Sequence, residues 1–141
     1  RVASRGLGDV YKRQVDEPPG LLGDDTAPNP SEAILAGLGS CIAVGIHANC
    51  VMKGIELNKL EIELEGDINI SAVWGTGDLG TEKIVGFSDI RVKAYVEGSA
   101  PQEELDEIVQ HANIWSPVAN TMRLPVNMTV ESVAPAAAYS I

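Results

Sequence analysis

SEAILAGLGSCIAVGIHANC, residues Ser31 to Cys50, is almost free of charge and is written largely in small and branched apolar residues. Its apolar positions do not alternate, and it is flanked by turn-forming ends, so it reads as a helix. Asn29 or Ser31 can cap it, Pro30 fits the first turn, and Gly54 stops it after Lys53. About 23 residues at the usual rise make a rod of roughly 34 Å. With no polar stripe, such a helix is expected to be buried on most sides. Ala36, Gly37, Gly39, Ser40, Ala43 and Gly45 remove bulk, as close packing against another helix or chain would require. A glycine costs a helix roughly 1 kcal/mol relative to alanine. Three of them imply that close approach is gained in return.

Working outward, VDEPPGLLGDDTAPN before the helix is rich in Pro, Gly and Asp and reads as loop. After it, Leu60–Ile70 alternates, with Glu61, Glu63 and Glu65 on one face and Ile62 and Leu64 on the other. That is a half-exposed strand. VWGTGDLGTEK is rich in turn residues. FSDIRVKAYVEG then alternates again, and Arg91 and Lys93 are set to lie across from the glutamates, a small stabilisation per pair. PQEELDEIVQHAN is a second helix, acidic in its first turn, with Leu105, Ile108, Val109 and Ala112 as its buried stripe. SPVANTM reads as a turn or helical start, and PVNMTVESV as a final strand. The order helix, strand, strand, helix, strand predicts an α+β domain with an antiparallel sheet against two helices.

The bulk numbers narrow the function classes. At 141 residues the chain holds one domain, and 45% apolar residues suffice for a core. A net charge of −10 repels phosphate backbones and anionic lipid, so neither nucleic acid nor a membrane is an expected partner. No uninterrupted apolar run reaches the ~18 residues of a membrane span. Two cysteines form no disulfide framework and no secretory signal is evident, so a cytoplasmic location is expected. SRGLGDVYKRQ, ending at Gln14, looks like a translated sequencing adaptor: DVYKRQ is encoded by GAT GTG TAT AAG AGA CAG, similar to a transposase end. Residues 1–14 are therefore read as a non-native leader and 15–141 as a single domain truncated at its N-terminus. Without that leader the charge becomes −13.

The chemistry-bearing residues are few. Cys41 and Cys50 are nine positions apart on one helix, which places them on opposite faces and about 13 Å apart along the axis. They cannot form a disulfide, and Cys50 reads as packing. A zinc site from Cys41, His47 and Cys50 fails because Cys41 is on the wrong face and no fourth ligand is placed, so no metal is expected. His47 and His111 read as histidines satisfied by a hydrogen bond. A Cys–His hydrolase has no supporting spacing. The sequons at Asn69 and Asn127 fall on expected strands and read as chance.

NPSEAILAGLGSC (Asn29–Cys41), followed by a helix ending in IWSPVANTM (Ile114–Met122), resembles the OsmC/Ohr family, the osmotically inducible and organic-hydroperoxide-resistance proteins. The similarity runs from roughly Pro28 to Val133 and includes the Lys53–Gly54 passage. It implies an intertwined α+β homodimer with two central helices and curved antiparallel sheets, its sites at the dimer interface. It further implies a reactive cysteine at Cys41 whose thiolate attacks the oxygen of a small apolar hydroperoxide and becomes sulfenic acid. The family's second cysteine opens a Cys-Pro motif, and that position is Ser116, before Pro117. The family also brings an arginine from its N-terminal strands, expected here in a missing segment, and a glutamate directly after Asn-Pro. Ser31 occupies that place, with Glu32 beside it, so both are candidate supporting residues. The resemblance thus implies a thiol-dependent peroxidase with one cysteine, without cofactor, recycled by an external thiol. The alternative is a non-catalytic homodimer of the same fold that serves as a binding or stress-related module.

Overall fold

The computed structural model describes residues 2–4, 13–71, 73–76, 80 and 85–132. Two short strands, β1 (Val2–Ser4) and β2 (Arg13–Val15), pair antiparallel. The remainder of the expected leader, residues 1 and 5–12, lies outside the described residues.

Helix α1 spans Pro30–Lys53. Asn29 caps it through a reciprocal pair: its side chain accepts from the Glu32 N–H at 2.9 Å, and the Asn29 N–H donates to the Glu32 carboxylate at 2.8 Å. At the other end Gly54 takes a left-handed conformation, φ 70°, and its N–H closes the last turn. Strands β3 (Leu57–Asn69) and β4 (Gly86–Gly98) form a long antiparallel hairpin. The register sets Glu63 opposite Lys93 and Glu65 opposite Arg91. Lys93 bonds Glu63, and Arg91 bridges Glu65 and Asp67, so the polar face carries the expected cross-strand charge pairs.

Helix α2 (Gln102–Trp115) buries Leu105, Ile108 and Ala112, the expected stripe. A third helix, α3 (Pro117–Arg123), develops from the SPVANTM turn. The core joins Leu38, Ile42, Ile46 and Cys50 of α1, an i, i+4 row, to this α2 stripe, to Val96 of β4 and to Ala119 of α3. Ile62, Leu64 and Ala94 cover it from the apolar face of the hairpin. Two helical glycines set the spacing. A Cβ at Gly45 would lie 3.1 Å from the Ala112 Cβ, so α1 and α2 touch nearly backbone to backbone. A Cβ at Gly39 would lie 2.6 Å from a Leu64 methyl, so β3 closes on α1 there. Gly37, by contrast, faces open space.

Three expectations change. Pro125–Ser132 forms no strand: Val126, Met128 and Val130 are all largely exposed, because alternation makes a strand only where an edge and a surface receive it. The single chain buries only one stripe of α1 and leaves Val44, Val51 and Met52 exposed, Met52 at 85%. Finally, α1 is long and apolar enough to cross a membrane by length and composition. Its glycines and serines interrupt a strict apolar run but leave the average high. In the fold it packs against β3, α2 and α3.

Candidate functional site

Cys41 occupies the middle of α1, half-buried, one position before the core residue Ile42. Its neighbour comes from the other end of the chain. Helix α2 ends at Trp115 and α3 begins at Pro117, so Ser116 is the hinge between them. A proline at the first position of a helix needs no N–H partner, which suits Pro117. Ser116, before it, takes an extended conformation and becomes the cap. The Ala119 N–H donates to Ser116 Oγ at 3.1 Å, and the hydroxyl donates in turn to Cys41 Sγ at 3.1 Å. Ser116 is 3% exposed. A buried hydroxyl therefore uses its acceptor on the cap and its proton on the thiol sulfur.

The seat of α3 is fixed by a polar clamp. The Arg123 guanidinium donates through Nη1 to the Asn113 carbonyl at 3.2 Å and through Nη2 to the Asn113 side-chain oxygen. Asn120 donates to the Ile114 carbonyl at 3.0 Å and accepts from Arg123. These bonds tie both ends of the hinge that carries Ser116. Sequence reasoning passed over Asn113, Asn120 and Arg123. A basic residue in the last turn of a short helix was the available signal, and it has the plain reading of complementing the helix end.

The other site residues are placed apart from Cys41. Glu32 is engaged in the capping box, nine residues before Cys41, and Ser31 stands in the same first turn. At the usual helical rise Glu32 is about 13 Å away along the axis. Pro117 is exposed and shapes the hinge. Cys50 is 1% exposed, and burial pushes its thiol above the ordinary range. It is held as a neutral core group. Both cysteines are free, and among the described residues no three His, Cys, Asp or Glu side chains converge as a metal site. His47 and His111 are exposed. Among the described residues neither has the expected hydrogen bond, and His111 instead packs its ring near Trp115 with centroids 6.2 Å apart.

Beside this pair lies a cavity of about 530 Å³ between α1, α3 and the first half of β4. Ile34, Leu38, Ile42, Phe87, Ile90 and Met122 provide apolar walls. Ala119, whose N–H anchors Ser116, also faces it. Its polar lining includes Asp89, Asn113 and Arg123.

Comparison with known proteins agrees with this architecture. The family model for OsmC-like proteins matches residues 23–131. Among solved structures, an OsmC-like protein from Mycoplasma pneumoniae superposes with a TM-score of 0.66 at 20% identity, covering 83% of this chain and 76% of that one. An organic hydroperoxide resistance protein OsmC from Legionella pneumophila gives 0.57 at 23% identity, covering 81% and 75%. An OsmC-like protein of unknown function from Vibrio cholerae gives 0.57 at 16%, covering 79% and 71%. No curated protein matches the chain.

Proposed function

Because the chain belongs to the OsmC-like protein family, we propose that it reduces organic hydroperoxides through Cys41 as a one-cysteine, thiol-dependent peroxidase. The observation that carries the reading is the bond from the Ser116 hydroxyl to Cys41 Sγ. The residue at the position of the family's second cysteine is in contact with the sulfur it would have resolved. The hydroxyl therefore holds Sγ in place for attack and can donate to the oxidised sulfur afterwards.

The Cys41 thiolate attacks the terminal oxygen of ROOH, the S–O bond forms and the O–O bond breaks. The alkoxide leaves and takes a proton from water, and Cys41 becomes a sulfenic acid, two electrons oxidised. Ser116 has no sulfur to offer, and Cys50 is buried in the core. An external thiol attacks the sulfenic sulfur, water departs, and a mixed disulfide remains. A second thiol reduces it, releasing the Cys41 thiolate and an external disulfide. No cofactor is required.

The exposed face of α1 supports a homodimer. Ala33, Gly37, Ser40, Val44, His47 and Val51 follow one another at alternating steps of four and three, the spacing of a helix-pairing seam. The row is small near Cys41, so a second copy could close over the thiol. A reducing, cytoplasmic setting fits two free cysteines. The second reading, a non-catalytic binding module, is favoured by the loss of the second cysteine at Ser116 and by the cavity next to it.

The test uses the protein expressed from its genomic reading frame. After excess cumene hydroperoxide, a dimedone-type probe should label Cys41 and leave Cys50 unlabelled, with no intramolecular disulfide. Peroxide consumption should require an added thiol. An unlabelled Cys41 would end the peroxidase reading and leave the binding module.

A further inference from the structure

The two arginines whose side chains are described are held in opposite ways. Arg91 is neutralised by Glu65 and Asp67. Arg123 has no carboxylate within ion-pair distance among the described residues, although the chain carries 20 acidic side chains. Its partners are all neutral: the Asn113 carbonyl and amide oxygen, and the Asn120 amide oxygen. A guanidinium has five N–H donors, and three are used here. Among the described residues Nε makes no hydrogen bond and Nη2 makes one, so the side-on edge that matches both oxygens of a carboxylate is open to a ligand. The two asparagines thus fix the plane of the group and leave its binding edge vacant.

This cation lines a cavity whose other walls are mostly apolar, Ile34, Leu38, Ile42, Phe87, Ile90 and Met122 among them. At about 530 Å³ it is within the range of small-molecule sites. It adjoins a second space of about 230 Å³ that Arg123 also lines. One fixed cation on the wall of a mostly apolar cavity is complementary to an amphiphile with one anionic end. We propose that this cavity binds a carboxylate with an apolar body, the headgroup on the Arg123 side-on edge and the body along the α1 and β4 side chains. Among the described residues Asp89 is the one acidic group on the lining. It opposes an anion and would favour a cation, so it supplies the internal control. The proposal rests on the binding-module reading of the cavity beside Ser116 and Cys41, and a ligand without a peroxide bond tests it apart from redox chemistry.

The experiment titrates decanoate, decanol and decyltrimethylammonium, each below its micellar concentration, into the chain by calorimetry. Decanoate should bind at least tenfold more tightly than decanol, and decyltrimethylammonium most weakly. Arg123→Gln should lower decanoate affinity about tenfold and leave decanol unchanged. Because Arg123 also clamps α2 to α3, a second variant is read in parallel. Asp89→Asn is exposed and outside the clamp, and should strengthen decanoate binding twofold or more with an unchanged unfolding midpoint. Equal binding of decanoate and decanol would overturn the proposal. So would decanoate binding indifferent to both substitutions, or no binding of any of the three, the result expected if a second copy of the chain covers the cavity.

Discussion

Ser116→Ala isolates one hydroxyl with two duties, and each has a magnitude. As cap of α3, Ser116 accepts the Ala119 N–H. Losing a serine cap typically costs about 1 kcal/mol. Here the cap is buried, so water does not replace it well, and about 1.5 kcal/mol is expected. For a chain of this length that lowers the unfolding midpoint by about 4 °C. The second duty is the 3.1 Å bond to Cys41 Sγ. It holds Sγ in one orientation, and a hydrogen bond of this kind is worth about 1 kcal/mol net. Losing that orientation is expected to slow alkylation of Cys41 by iodoacetamide at pH 7 by up to about fivefold. Thermal melts and mass-resolved alkylation measure the two effects independently. Ser116→Thr keeps the hydroxyl and should recover the alkylation rate. If Ser116→Ala melts with the parent and alkylates Cys41 at the parental rate, the hydroxyl neither caps the helix nor engages the thiol, and the reading of the hinge is refuted.

Two further outcomes test the packing and the loop. Gly45→Val places branched carbon where even a Cβ lies 3.1 Å from Ala112, so it should destabilise the fold by about 1–3 kcal/mol in a denaturant titration, whereas a Cβ at Gly20, before α1, meets nothing within 4 Å, and Gly20→Ala should cost nothing measurable. Asp16 is buried and accepts from the Thr26 hydroxyl and N–H and from the N–H groups of Glu17 and Asp24. These bonds, the Thr26 hydroxyl first, hold its carboxyl well below the usual range. The unfolded chain then binds this proton more readily than the folded one, so the stabilisation is complete above about pH 4 and is lost as pH falls toward the folded-state value. The stability gap between the parent and Asp16→Asn should accordingly be widest near neutrality and narrow on acidification, as read by melts across pH.

The local signals in this chain were strong enough to determine its elements. Asn29-Pro30 with Glu32 and a terminal Gly54 bounded α1, because caps act within a single turn. Alternation placed β3 and β4 and even their cross-strand charge pairs, because the period of two fixes which side chains share a face. The α2 stripe followed from the 3.6-residue period in the same way. What those periods could not supply was any partner distant in sequence. Alternation in Pro125–Ser132 suggested a strand, but pairing depends on an edge elsewhere. The small residues of α1 all read alike, yet Gly39 and Gly45 are the ones pressed against Leu64 and Ala112, while Gly37 is open. The motif resemblance named Cys41 and Ser116 without saying that they touch. Their contact spans 75 positions and exists because Pro117 breaks the helix, Ser116 caps the next one, and Arg123 clamps that helix down. The vacant edge of Arg123 belongs to the same class of fact: a charge has meaning only against the groups that surround it, and those are assembled by the tertiary structure alone.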